Sequence, residues 1–166
     1  MMLLKFFLKK SVALMPIICV IMYFIFGNRD YLVLLIGLTV SSIVNIIIKF
    51  ILGYIDYDYF LRPNKIKKQN PNFLDLLINV GMPSGHAQMA WVFTTYLILL
   101  YHKRHHNVLI TIILLLFSIF ISISRIGVNK ALGNKVHTLP QVGVGSLVGI
   151  IIGIIFYFKK DNYLKV

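Results

Sequence analysis

The chain has 166 residues, of which 58% are hydrophobic, and a mean hydropathy of +0.84. Ordinary soluble domains hold roughly 45–50% apolar residues, so this composition excludes one and points to a membrane protein. Lys and Arg number 17 against 5 acidic residues, all of them Asp, for a formal charge of +12; that excess suits nucleic acid, anionic lipid or a phosphorylated substrate, but a nucleic-acid module would not spend most of its length on apolar runs.

In chain order, the leader MMLLKFFLKK (1–10) places Lys5 and Lys9 four residues apart. It reads as a basic interfacial leader that runs into a long apolar stretch without an A-x-A site, so as an anchor that stays rather than a cleaved signal. A membrane span needs about 20 mostly apolar residues. The first candidate is 11–27, with Pro16 one turn inside it. The single cysteine, Cys19, lies in this run, so no intrachain disulfide or thiolate metal site is expected. The second, 31–55, is long enough to tilt and carries Asn45 and Lys49 in its last half, polar groups that need partners inside the protein. The third runs from about Ser84 to Tyr101, the fourth covers 108–124, the fifth 140–158, and a polar tail follows at 159–166.

Two short links, NRD and HKRHHN, and two long polar loops, 56–83 and 125–139, join these spans. Five spans put both long loops and the N-terminus on one face. The expected fold is all-α, a polytopic membrane helical bundle of about five transmembrane helices forming one domain over 1–166. More cations lie on the long-loop side, which by the positive-inside rule would face the cytosol. His102, His105 and His106 fall in the opposite link and read as a basic flank, with adventitious metal binding as the alternative. Gly145, Gly149 and Gly153 recur every four residues, the small-residue pattern that lets helices approach closely; packing within the bundle is the favoured use and a homo-oligomer interface the alternative.

The long-loop face gathers Arg62, the Ser84–Gly85–His86 corner, Arg125 and His137. Guanidinium forks suit phosphate oxygens, two histidines can divide the roles of nucleophile and general acid, and Ser84 can cap a helix whose first N–H groups, near Gly85 and His86, point at an anion. A carboxylate-held metal is poorly supported, because the chain has no Glu and Asp56 and Asp58 sit in a Tyr-rich loop without His at ligand spacing. Metal-free phosphoryl transfer, with no cofactor, is therefore expected.

The blocks RP (62–63), PSGH (83–86) and SR…H (Ser124 to His137) resemble the three signatures of the type 2 phosphatidic acid phosphatase, or lipid phosphate phosphatase, superfamily. GMPSGHAQMAWVF (81–93) and HTLPQV (137–142) resemble its dolichyl-diphosphatase branch, and the likeness covers about residues 45–153. The resemblance implies that His137 is the nucleophile, forming a phosphohistidine, and that His86 is the general acid. Arg62, Arg125, Ser84 and the Gly85 N–H would hold the phosphate oxygens. Gln141 stands where the family usually has Asp, and its carbonyl would accept the imidazole N–H. At the family's lysine position this chain has Ile55; Lys49 is the nearest upstream lysine and would reach the phosphate if its helix unwound, with Lys65, Lys67 or Lys68 as substitutes. The usual spacing would put the nucleophile at Ala131, so the insert VNKALGNK (128–135) must bulge for Arg125 and His137 to meet. The implied substrate is a polyprenyl diphosphate in the endoplasmic reticulum membrane, cleaved on the lumenal side. Phosphatidic acid or another lipid phosphate is the alternative, and a catalytically inactive membrane scaffold is the alternative of another class.

Overall fold

The computed structural model describes residues 2–63, 65–105, 108–126 and 136–163; the insert at 128–135, His106 and the last residues of the tail lie outside them. Seven helices run in the order α1 (Met2–Phe26), α2 (Asp30–Ile55), α3 (Tyr57–Phe60), α4 (Phe73–Asn79), α5 (Gly85–His105), α6 (Val108–Ile126) and α7 (Leu139–Tyr163). Long helices are what apolar segments become where lipid offers no partner to backbone N–H and C=O groups. The leader is continuous with α1 rather than a separate element. Gly27, at φ +60°, ends α1 in the left-handed region, its N–H returning to the Tyr23 carbonyl at 2.8 Å.

Three helices, α2, α6 and α7, are long and apolar enough to cross a membrane, and Val12–Phe26 of α1 is a shorter apolar helix. The third expected span, α5, is long enough at about 30 Å but less apolar, and its position explains why. It packs against α1, α2, α6 and α7, so protein rather than lipid surrounds it. Ala87, Gln88, Ala90, Val92, Thr94 and Tyr96 are fully buried. The polar members of that set find partners on the neighbours: Gln88 Nε2 donates to Ser41 O at 2.8 Å, Thr94 Oγ1 to Leu114 O at 3.2 Å and Tyr96 Oη to Asp30 O at 3.0 Å. The outer helices instead expose Ile17, Ile21, Ile47, Ile113 and Ile151, as a lipid-facing surface should.

The glycine stripe of α7 lies against α5. A Cβ on Gly145 would stand 2.6 Å from the Ser84 carbonyl oxygen, one on Gly149 2.9 Å from Trp91 Cβ, and one on Gly153 2.9 Å from Thr95 Cβ. The stripe is thus occupied within the chain. At one end of the bundle, buried Lys160 and Asp30 pair at 3.4 Å. At the other end the segments 56–83 and 136–138 come together, as the five-span reading expected of the long loops.

Gly149→Ala should destabilise the bundle, since overpacking a tight contact costs typically about 1–3 kcal/mol. Gly143→Ala, two turns away with nothing within 4 Å of the added Cβ, should be neutral or stabilise by about 0.4–1 kcal/mol. Thermal unfolding in detergent checks this; equal midpoints for the two variants would show that the stripe is not a packing seam.

Candidate active site

The segment between α2 and α5 is more ordered than a polar loop. Asp56 caps α3 by accepting the Tyr59 N–H at 2.9 Å. Asn72 and Asp75 form a capping box that starts α4. Tyr57, Leu76 and Val80 make a small core beneath Phe60 and Leu61. Leu61 and Val80 form an antiparallel bridge, with the Arg62 N–H on Asn79 O at 3.0 Å and the Gly81 N–H on Phe60 O at 2.8 Å. This bridge delivers Arg62 and the start of α5 to the same place.

Lys49 reaches that place without any unwinding. The helix continues to Ile55, and α3 carries the chain back so that Arg62 and Lys49 repel each other electrostatically while Lys49 is buried. The substitutes are otherwise engaged, Lys67 with Asp58 at 3.0 Å and Lys68 with Asp75 at 2.7 Å, both lysines exposed; Lys65 is exposed as well. Arg125 ends α6, its Nε donating to Ser124 Oγ at 3.3 Å, and it too lies close enough to Arg62 for their charges to repel. The long spacing to His137 is resolved by the backbone: the His137 N–H donates to the Arg125 carbonyl at 3.1 Å and the Val136 N–H to the same oxygen at 3.3 Å. The residues flanking the insert, Arg125 and Val136, thus meet.

At the start of α5, the Ser84 N–H donates to Gln141 O at 2.9 Å, and Asn45 Nδ2 donates to Pro83 O at 3.2 Å and to Gln88 Oε1 at 2.8 Å. The side chain of Ser84 does not cap the helix as expected, because its Oγ makes no hydrogen bond. Gly85 faces Asn45, where a Cβ would find ordinary contact at 3.4 Å, so nothing in the fold itself demands glycine there. His86 sits half-buried in the first turn, near enough to His137 to influence its charge.

Among the described residues, three buried side-chain polar atoms have no hydrogen-bond partner: Arg62 Nε, Ser84 Oγ and His137 Nδ1. Such an orphan costs about 1–3 kcal/mol, and folded proteins keep few of them. All three lie in this one site, in the company of Lys49, Arg125 and His86. Burial lowers the pKa of Arg62. Burial, then the charges of Arg62 and Lys49, push His137 down to about 3, with His86 adding to the effect and the Gln141 amide opposing it. The imidazole is therefore neutral at ordinary pH and can act as a nucleophile. The donors Arg62 Nε–H and Ser84 Oγ–H fit an anion with several acceptor oxygens, as a phosphate has.

Gln141 has partners beyond the expected imidazole. Its Oε1 accepts the Thr138 N–H at 3.1 Å, and its Nε2 donates to Leu61 O at 3.2 Å and Phe60 O at 3.4 Å. It fills the notch over Gly81, where a Cβ would stand 2.6 Å from Gln141 Cδ. Gln141 thus clamps the Arg62 strand to the His137 turn, while its side chain also interacts with the His137 imidazole. The structure brings together all eight residues singled out from the sequence. What sequence reasoning missed is α3, α4 and the bridge; the Asn72 to Asp75 spacing was the available signal, since it is that of a capping box.

Gln141→Glu, nearly isosteric, sets a carboxylate against the Phe60 and Leu61 carbonyls and should cost about 1–3 kcal/mol of stability, read as a lower thermal midpoint. An imidazole-orienting role would instead leave the midpoint unchanged. For His137, the folded-state pKa lies below the ordinary value of 6.5, so the unfolded chain takes up the proton first and stability falls as pH drops from about 6.5 toward 3. His137→Gln should accordingly lose less thermal stability than the wild type between about pH 7 and pH 5; parallel losses would count against a buried neutral imidazole.

A family model described as PAP2 superfamily matches residues 30–163. Searches of curated proteins and of solved structures return no match. The matched stretch begins with α2 and ends with α7, and so contains every residue of the cluster around His137. Members of that family are phosphatases acting on phosphorylated substrates, in agreement with a cationic site that holds a neutral histidine. This membrane helical bundle belongs to the PAP2 superfamily.

Proposed function

We propose that the protein is an integral membrane phosphatase that removes the terminal phosphate of a polyprenyl diphosphate of dolichyl type. The observation that carries the phosphatase chemistry is the convergence of the orphaned Arg62 Nε, Ser84 Oγ and His137 Nδ1 among cations. A ring nitrogen of neutral His137 attacks the terminal phosphorus. The P–N bond forms as the P–O bond to the lipid phosphate breaks, and His86 passes its proton to the departing oxygen. Water, giving a proton back to His86, then attacks phosphorus, breaks the P–N bond and releases inorganic phosphate. Lys49, Arg62 and Arg125, with Ser84 Oγ and the Gly85 N–H, stabilise the equatorial oxygens as charge shifts among them.

The choice of a diphosphate lipid is supported by the blocks 81–93 and 137–142, which resemble the dolichyl-diphosphatase branch, and the same likeness supports an endoplasmic reticulum membrane. The test uses purified full-length chain in detergent with a chelator present, offered polyprenyl diphosphate and phosphatidic acid in parallel. The expected result is faster phosphate release from the diphosphate, and a loss of about a thousandfold or more in His137→Ala, the scale on which loss of a nucleophile acts. Faster release from phosphatidic acid would overturn the substrate; equally slow release by wild type and His137→Ala would overturn the enzyme and leave a scaffold.

A further inference from the structure

Helix α4 is built inside out for a helix that faces water. Its polar side chains are held by the surrounding segment: Asn79 Nδ2 donates to Tyr57 Oη at 3.1 Å, and Asp75 accepts from the Asn72 N–H at 3.1 Å and from Lys68 Nζ at 2.7 Å. Leu76, with Val80 just beyond the helix end, packs against Gly53 of α2, where a Cβ would stand 2.9 Å from Leu76 Cδ2 and 2.8 Å from Val80 Cγ2. The opposite side carries Phe73, Leu74 and Ile78, which are 58%, 62% and 55% exposed. A surface helix of a soluble protein shows the reverse arrangement, and soluble monomers keep contiguous apolar patches small.

This exposed face continues a lipid-facing one. Lys49 and Gly53, four residues apart, lie on the inward side of α2, Lys49 buried at the site and Gly53 under Leu76. Ile43, Ile47, Phe50 and Tyr54 lie on the outward side, each at least 40% exposed. The Phe73 ring meets the Phe50 ring at a centroid distance of 5.6 Å, so one apolar medium covers both. The same end presents exposed Tyr54 and Tyr59 with exposed Lys65 and Lys67. Tyrosines and cations together are the composition of a membrane–water boundary.

We infer that the outer face of α4 rests in the interfacial zone of the bilayer, among lipid carbonyls and the first acyl carbons. Its inner face thereby holds the Leu61–Val80 bridge, and Arg62 beside it, at a fixed depth. Helices that lie in this zone sink about 5–10 Å into the boundary between headgroups and acyl chains. The placement needs only a chain that spans the membrane, and it holds whether or not that chain is a phosphatase.

The test sets a nitroxide at position 74 or 78 through Leu74→Cys or Ile78→Cys, in a Cys19→Ala background because Cys19 is the only native thiol. The full chain is reconstituted in phosphatidylcholine vesicles, with Ile47→Cys as the lipid reference and Lys65→Cys as the aqueous one. Collisions with oxygen, which concentrates in lipid, are compared with collisions with a water-soluble nickel chelate. In parallel, the unsubstituted chain is photolysed with a phosphatidylcholine that carries a diazirine near the carbonyl end of its acyl chain, and the labelled peptides are mapped; this arm decides the question if a nitroxide variant does not fold. The expected result is an excess of oxygen over nickel collisions at 74 and 78, at a depth of about 5–10 Å. The peptide 73–78 should take up the photolabel and lose most of it in the double variant Leu74→Asn/Ile78→Asn. An excess of nickel collisions would put the face in water, and few collisions with either reagent would put it against protein such as a second copy. Either outcome, or a peptide 73–78 that stays free of photolabel while the α2 stripe is labelled, would overturn the inference.

Discussion

The catalytic end of the molecule depends on how closely α7 approaches the start of α5. Gly145 lies where a methyl group would collide with the backbone of Ser84, and the Ser84 N–H is bound to the carbonyl of Gln141. With no hydrophobic driving force between helices in lipid, such close packing and interhelical hydrogen bonds must supply the association. One turn of α7 pressed against one turn of α5 brings His137 beside His86 and Ser84. Gln141 then extends the same contact to a third segment, because its amide reaches the carbonyls of Phe60 and Leu61 next to Arg62. Separation of α7 from α5 would part His137 and Gln141 from His86, Ser84 and Arg62 together.

The packing holds a site whose electrostatics oppose folding. Arg62 repels both Lys49 and Arg125 in a largely buried setting, and four of the five acidic residues of the chain are spent elsewhere: Asp30 pairs with Lys160 at the far end, Asp58 and Asp75 bind surface lysines, and Asp56 caps α3. Like charges brought together in a partly buried site and orphaned donors are costly, and local conflicts of this kind belong at functional sites. Burial, with the charges of Arg62 and Lys49, keeps His137 deprotonated, and a phosphate bound there would neutralise the cations and give the donors their acceptors.

Much of this was legible in the sequence because membrane spans and helix-start motifs are local signals. The apolar runs located α2, α6 and α7 to within a few residues, although α1 begins at Met2, inside the leader, and Pro-Ser-Gly-His located the start of α5. The role of Gln141 was not legible, since its partners, the Phe60 and Leu61 carbonyls, are backbone groups some 80 residues away; nothing about a glutamine's identity announces which backbone it will bind. Ser84 misled for the opposite reason. Its residue type is a strong cap signal, yet the cap was left unmade and the hydroxyl kept for the site. Helix α5 is less apolar than α2, α6 and α7, and its low apolarity records burial by protein rather than exposure to water.

The unusual spacings are tolerated because motif spacing is a proxy for geometry, and the backbone fixes geometry directly. Between Lys49 and Arg62 the extra length is taken up by the last turns of α2 and by α3, after which the Leu61–Val80 bridge sets Arg62 down at the site whatever path preceded it. Between Arg125 and His137 the two hydrogen bonds onto the Arg125 carbonyl close the loop at its base, so residues added beyond that base do not move the imidazole. Loop closure grows only slowly costlier with length, and a pair of bonds at the neck offsets that slow growth. A site assembled from helix ends and backbone clamps can accept insertions between its signature residues, provided each insertion leaves the clamp on either side of it intact.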